Sequence, residues 1–156
     1  IMQNDFSVKV NDCIEKHDLV PGSVIFEITE TAAALGSETL KNNMKKLCEK
    51  NHEFAIDDFG TGYSNLSTLT NLPFLILKTD RSVMPDDLSD KRQTSVFMKL
   101  IDLFKGVGLD VIVEGVETKE QHDLLLRLGV KYAQGFYYAR PMPMDEFAKF
   151  IKTVNS

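Results

Sequence analysis

Two adjacent carboxylates, Asp57 and Asp58, stand where an apolar run ends and a glycine-rich turn begins, within the letters AIDDFGTGYS at 55–64. Adjacent like charges repel each other and lose hydration when they are partly buried. A fold therefore tolerates such a pair at a strand end mainly where cations neutralise it. The pair predicts a cation-dependent site.

The same arrangement recurs along the chain, because other short apolar runs also deliver a polar group at their carboxyl ends. These polar residues are Glu27, Lys78, Asp80, Glu114, Glu117 and Gln134. Polar side chains at the ends of several strands are typical of an active site that is assembled around one rim of a sheet.

Composition limits the possible functions. The chain has 156 residues, of which 43% are apolar, and a formal charge of −5, so we expect one core and no basic surface for DNA or RNA. A phosphate ligand would then need help from a metal. Cys13 and Cys48 lack metal-ligand spacing and fit reduced thiols in a cytoplasmic protein. No apolar run approaches the roughly 20 residues of a membrane span.

Hydrophobic periodicity predicts alternating helices and strands in a single domain. The helices are predicted at 5–17, 37–50, 64–69, 91–106, 118–128 and 144–153, and the strands at 24–28, 53–57, 74–79, 110–114 and 131–137. Strands that alternate with helices indicate a parallel α/β sheet.

Two architectures fit this alternation, an open doubly wound sheet and a (β/α)₈ TIM-like barrel. Polar groups at five strand ends favour the barrel, because an open sheet concentrates its site at one switch point. A barrel usually takes roughly 200 residues or more, so we predict a partial barrel of about five strands that lacks about three strands at its start. The chain begins at Ile1 without an initiator methionine, which also suggests a fragment.

Five motifs closely resemble the EAL domain family of bacterial cyclic-di-GMP phosphodiesterases, and they occur in the family's order. They are FEITE at 26–30, DDFGTGYS at 57–64, LKTDRS at 77–82, VEGVET at 113–118, and QGFY at 134–137 with PMP at 141–143. The resemblance implies that 1–156 is the C-terminal two-thirds of one such domain. The Glu-Ala-Leu motif and an asparagine metal ligand are expected before Ile1.

The resemblance implies two Mg²⁺ or Mn²⁺ ions with Glu27, Asp57 and Asp58 among their ligands, Asp57 bridging them. Oxygen-only ligands suit these hard cations. Lys78 would orient the attacking water and face the phosphate. Glu114 would activate water or bind the second metal, and the sequence does not separate these two roles.

Supporting roles are also implied by the family resemblance. Glu30 would hold the 57–69 loop, and Asp80, Glu117 and Gln134 would support metals, waters and substrate. The expected partners are cyclic di-GMP, a second copy in a homodimer formed through the 59–69 loop, and a sensory or GGDEF domain in a parent protein that could be tethered to a membrane.

Simpler readings exist for most of these residues taken alone. Glu30 and Glu117 fit acidic residues at helix starts, and Lys78 fits an ordinary salt-bridge partner. Phe136, Tyr137 and Tyr138 could stack on guanine but more often such aromatics fill a core or its rim. The three histidines, at 17, 52 and 122, are expected on the surface.

One position departs from the family pattern: Thr79 stands where isoleucine or valine is usual. Strand alternation points Lys78 and Asp80 one way and Thr79 the other way, toward the helices. We therefore expect the hydroxyl to cost packing and to spare the chemistry.

Three function classes remain open. The leading one is a metal-dependent phosphodiesterase that opens cyclic di-GMP to linear pGpG, with the isolated fragment inactive. The second is a non-catalytic cyclic-di-GMP receptor or interaction domain. The third is an unrelated barrel enzyme such as a glycoside hydrolase, in which carboxylate pairs also act.

Overall fold

The computed structural model describes residues 1–20, 22–62 and 66–154 and contains a five-stranded parallel sheet. The strands are β1 (Ile25–Thr29), β2 (Glu53–Phe59), β3 (Ile76–Thr79), β4 (Asp110–Val113) and β5 (Tyr132–Ala133). The helices are α1 (Phe6–Lys16), α2 (Glu30–Ala34), α3 (Glu38–Cys48), α4 (Leu66–Asn71), α5 (Lys91–Gly106), α6 (Lys119–Arg127) and α7 (Met144–Val154), and a 3₁₀ turn covers Arg81–Val83.

The sheet has different surroundings on its two faces. Alternate strand residues such as Phe54, Ile56 and Leu77 are fully buried, and they share one core with residues of α3, α5 and α6. The residues between them lie on the opposite face, where Ile25, Ile76 and other strand residues line an open concavity of about 450 Å³. One face is therefore covered by helices, and the other is open.

This arrangement confirms the predicted TIM-like fold, here as a partial barrel of five parallel strands. The strands follow one another in the sheet in chain order, β1 to β5, and every neighbouring pair is parallel. A doubly wound sheet would reverse its order at a switch point and carry helices on both faces. Sequential order with helices packed on one face is the geometry of a barrel wall.

Local sequence signals account for the helix starts. Ser37 caps α3, with its Oγ accepting from the Leu40 N–H at 3.1 Å, and Asp90 caps α5 through the Arg92 and Gln93 N–H groups. These side chains satisfy backbone donors that have no partner inside the helix. The predicted bounds of α3, α5 and α6 lie within two residues of those observed.

Two local predictions were wrong, and one helix was missed. The last strand, predicted at 131–137, covers only Tyr132–Ala133, because the next residues turn beneath the β4–α6 connection, where a Cβ on Gly135 would lie 2.0 Å from the Val116 carbonyl oxygen. The helix Glu30–Ala34 follows β1 directly and was not predicted. His52 is 3% exposed rather than on the surface, with its ring edge-on to Phe26.

None of the helices in the described part of the chain combines the length and the apolar character that crossing a membrane requires.

Candidate functional site

Lys78 brings together three of the predicted site carboxylates. Its Nζ lies 2.8 Å from Asp57 Oδ1, 3.0 Å from Glu27 Oε1 and 3.0 Å from Glu114 Oε1. The four side chains come from β1, β2, β3 and the residue directly after β4. We call this group the Lys78 cluster.

Strand register and alternation explain why these residues meet. Thr29 pairs with Asp57 across β1 and β2, and Lys78 pairs with Ile112 across β3 and β4, so Glu27, Asp57, Lys78 and Glu114 fall on the same face near the carboxyl ends of adjacent strands. Thr79 points the other way and is fully buried, as predicted. Its hydroxyl finds no hydrogen-bond partner among the described residues.

Partial burial and three anionic partners set the charge state of Lys78, whose side chain is 13% exposed. Burial lowers the pKa of Lys78, but hydrogen bonds from its ammonium group to Asp57, Glu27 and Glu114 outweigh that effect and hold the pKa above its ordinary value. Lys78 is therefore a fixed positive charge at neutral pH. It can attract an anion or donate hydrogen bonds, and it cannot act as a base.

Asp58 lies beside the Lys78 cluster on a backbone bulge. The β2–β3 register shifts between Ile56 and Phe59, and Asp58 has a φ of +56°, in the left-handed region that non-glycine residues rarely adopt. Strand alternation would give Asp58 the core-facing position, but at the bulge Phe59 takes that position and pairs with Thr79. Asp58 therefore stays exposed while Asp57 reaches Lys78. Such strained backbone is frequent at functional sites.

Glu30 contacts the loop that follows β2. It is 3% exposed, and its Oε2 accepts from the Gly60 N–H at 3.0 Å. The position of a Cβ on Gly62 would also lie 3.8 Å from this carboxylate. Glu30 is in addition the first residue of α2, so the simpler reading as a helix-start charge holds as well.

The other three predicted supporting residues lie outside the Lys78 cluster. Asp80 caps the 3₁₀ turn, its Oδ1 accepting from the Ser82 N–H at 2.8 Å. Hydrogen bonds from the Ser82 side chain and then from its backbone lower the Asp80 pKa. Glu117 Oε1 lies 3.6 Å from Arg81 Nε. Gln134 has an exposed side chain, and its backbone bonds to Val113 and Val116 extend the pairing of β5 with β4.

The aromatic residues after β5 do not fill a core. Phe136, Tyr137 and Tyr138 are between 38% and 53% exposed. The Tyr137 ring stacks on His122 at 5.2 Å between centroids, and the Arg140 guanidinium lies 4.3 Å from the Phe136 centroid. These residues therefore form an exposed aromatic surface beyond the end of β5.

Sequence reasoning missed Arg81 and Gln121. Gln121 is 2% exposed, accepts from the Glu117 and Thr118 N–H groups, and donates to the Pro85 carbonyl at 3.1 Å. The letters TKEQ at 118–121 form a capping box at the start of α6. This pattern is visible in the sequence and could have predicted the structural role of Gln121. Arg81 had no comparable local signal.

The donor set fits a hard divalent cation in its chemistry. Glu27, Asp57 and Glu114 offer only oxygen atoms, the ligands that Mg²⁺ and Mn²⁺ prefer. In the structure, these three carboxylates surround the ammonium group of Lys78. Among the described residues, no group of three His, Cys, Asp or Glu side chains is placed to coordinate one ion.

Together, the fold and the charged rim define a TIM-like α/β domain whose site lies at the carboxyl ends of its strands. The sequence profile of the EAL domain family matches residues 1–141. The chain belongs to the EAL domain family, as its motifs predicted.

Named relatives and solved structures carry the same domain. The chain is 36% identical over 141 residues to the cyclic di-GMP phosphodiesterase RocR and 34% identical over 137 residues to the bifunctional diguanylate cyclase/cyclic di-GMP phosphodiesterase MucR, both of Pseudomonas aeruginosa. The EAL enzyme Bd1971, in its cAMP- and cyclic-di-GMP-bound form, superposes with a TM-score of 0.89 at 33% identity.

These matches cover most of this chain and a smaller part of each relative. They include 90% of the chain but 36% of RocR, 88% of the chain but 20% of MucR, and 96% of the chain but 40% of Bd1971. The chain therefore spans less than half the length of each of these relatives.

Proposed function

We propose that this chain forms part of a cyclic-di-GMP phosphodiesterase that hydrolyses the cyclic dinucleotide to linear pGpG with two divalent ions. The observation that carries the proposal is the Lys78 cluster, in which one cation and three carboxylates from four adjacent strands converge on one rim. Support also comes from RocR and MucR, whose names give this activity.

The residues divide into two sets by their chemistry. Glu27, Asp57 and Asp58 would hold the ions through carboxylate oxygens. Bound Mg²⁺ or Mn²⁺ would lower the pKa of a water and offset the charge of the phosphodiester.

Lys78 and Glu114 would act on the water and the phosphate. The permanently charged Lys78 ammonium would bind a phosphate oxygen or fix the orientation of the water by donating hydrogen bonds. Glu114 would accept a proton from the water or contribute a further metal ligand. Glu30 would keep the backbone at Gly60 in place, and with it the bulge that separates Asp57 from Asp58.

Assembly of the whole protein is part of the same proposal. We expect a homodimer through the 59–69 loop and a cytoplasmic location, with a sensory or GGDEF domain on the same polypeptide. MucR combines a cyclase with a phosphodiesterase in one protein. Of the loop itself, residues 63–65 lie outside the described part of the chain.

A second candidate is a cyclic-di-GMP receptor that does not hydrolyse its ligand. It is favoured by the ammonium group at the centre of the carboxylates and by the lack of a three-ligand group among the described residues. In this case Lys78 would bind a phosphate directly and no ion would be needed.

The test uses the full-length protein that carries this chain, with cyclic di-GMP and Mn²⁺. If the protein is a phosphodiesterase, production of pGpG should stop in excess EDTA and fall at least about a hundredfold in Asp57→Asn. It should also fall in Lys78→Met. Lys99→Met, which alters an exposed lysine of α5, is the matched control for Lys78→Met and should retain wild-type turnover. Tight binding of cyclic di-GMP without turnover would favour the receptor, and turnover undiminished by EDTA would refute the two-metal proposal.

A further inference from the structure

The 3₁₀ turn after β3 packs against the loops on both sides of it. A Cβ on Gly60, in the loop after β2, would lie 2.4 Å from Val83 Cγ2. A Cβ on Gly115, in the loop after β4, would lie 1.8 Å from Arg81 Cδ. The first loop directly follows Asp57 and Asp58 at the end of β2, and the second begins with Glu114. Glycine lets each loop approach the turn closely.

Arg81 makes the polar contacts of this junction. Its Nε lies 3.6 Å from Glu117 Oε1, one of its terminal nitrogens pairs with Asp86, and the other donates to the Met84 carbonyl at 3.4 Å. The guanidinium therefore ties the 114–118 loop, which runs from Glu114 to Thr118, to the segment that follows β3. A planar group with donors on three nitrogens can hold several partners at once.

Gln121 makes a second link between the same two segments. Its side-chain oxygen accepts from Glu117 and Thr118, and its Nε2 donates to Pro85. Lys78 lies in β3, just before one linked segment, and Glu114 begins the other. The ion pair between Lys78 Nζ and Glu114 Oε1, at 3.0 Å, therefore joins two parts of the chain that are also linked behind the Lys78 cluster.

We propose that Arg81 is a positioning residue that holds the Glu114 carboxylate against Lys78 by fixing the 114–118 loop. Within the described part of the chain, Arg81 lies against Gly115 and Glu117 and makes no polar contact with Lys78 or Glu114. It would therefore act on Glu114 through Gly115 and Glu117. The consequence for catalysis rests on the proposed function, because Glu114 is there assigned to the water. The consequence for geometry is independent of it.

The geometric test follows the Lys78 ammonium by ¹⁵N NMR in the full-length protein. Glu114→Gln supplies the signal position for a cluster without the Glu114 charge. In Arg81→Ala the Lys78 signal should move from its wild-type position toward that reference. Arg127→Ala, which removes an exposed guanidinium at the far end of α6, should leave the signal in place.

A second variant guards against loss of the fold. Glu117→Gln keeps the size of the side chain, removes its charge, and should shift the Lys78 signal in the same direction as Arg81→Ala. Circular dichroism confirms that each variant is folded. An unchanged Lys78 signal in the folded variants overturns the proposal, whatever the activity of the protein is.

The catalytic test uses the full-length protein. In Arg81→Ala, kcat should fall by about 10- to 100-fold while KM changes by less than about threefold, because misplacing a catalytic group mainly affects the transition state. Arg81→Lys should recover part of the loss by keeping one ion pair. If wild type does not hydrolyse cyclic di-GMP, the proposed function fails, and the NMR result still decides the role of Arg81.

Discussion

Lys78 and Thr79 are neighbours in sequence with opposite environments. The Lys78 ammonium meets three carboxylates on the open face of the sheet, whereas the Thr79 side chain is fully buried under the helices. Strand alternation imposes this division, so one strand serves the site and the core at once. Each residue leads to a prediction.

Lys78 should make stability depend on alkaline pH. Its pKa in the folded chain lies above the ordinary 10.5, so its stabilising effect is complete below about that pH and is lost as pH rises further. We expect the free energy of unfolding to fall above pH 10.5 in wild type and to fall less steeply in Lys78→Met. Urea denaturation across pH 8–11.5 measures both slopes. Lys99→Met is the control, and equal slopes in the two variants would contradict the prediction.

Thr79→Val should stabilise the protein by about 1 kcal/mol, because it removes a buried hydroxyl without a partner among the described residues and keeps the β-branched shape. Thr94→Val is the matched control, since the Thr94 hydroxyl donates to the Leu88 carbonyl at 3.2 Å and its loss should destabilise. Thermal unfolding compares the two. A destabilised Thr79→Val would show that the hydroxyl has a partner in solution.

At the scale of elements, α2 and α3 each begin with a glutamate, but the two side chains have different partners. Glu30 and Glu38 each follow a capping residue, Thr29 and Ser37, at the first position of α2 and α3. Glu30 is buried and bonded to Gly60, whereas Glu38 is exposed and pairs with Lys41. The contrast separates an effect on the helix from an effect on the loop after β2.

We expect Glu30→Ala to cost about 1–2 kcal/mol more than Glu38→Ala, because it leaves the Gly60 N–H without its acceptor. It should also speed hydrogen exchange at the Gly60 amide, and in the full-length protein it should weaken Mn²⁺ binding and dimerisation together. Glu30→Gln keeps an acceptor and should behave more like wild type. Equal exchange rates at Gly60 in Glu30→Ala and Glu38→Ala would leave Glu30 as a helix-start charge only.

At the scale of the whole molecule, the sheet is open at both edges within the described residues. β1 and β5 each have one strand neighbour, and Ile25 and Tyr132 on these strands are 46% and 53% exposed. Unpaired strand edges beside exposed apolar side chains favour pairing with another chain. The open face is also the face that carries the Lys78 cluster.

The isolated 156-residue chain should therefore self-associate and produce no pGpG above background. Association hides the edges, and the described residues provide no three-ligand group for an ion. Sedimentation velocity measures association, and Tyr132→Lys should reduce it while Val107→Lys, on an exposed helix end, should not. A monomeric chain, or steady turnover of cyclic di-GMP by it, would contradict these expectations.

The sequence by itself determined the order of strands and helices apart from α2, the parallel barrel wall and the meeting of Glu27, Asp57, Lys78 and Glu114. Period-2 alternation and polar groups at strand ends are local signals, and parallel strands bring their carboxyl ends to one rim.

Only the tertiary structure decided the remaining features. The bulge at Asp58, the burial of His52, the shortened β5 and the contacts of Arg81 depend on residues far apart in the chain. Val116 packs closely on Gly135, and the Arg81 side chain packs closely on Gly115. Each pair is brought together by the fold, and no local sequence pattern predicts these contacts. Local sequence sets which face a side chain takes, while packing between loops decides which partner it meets.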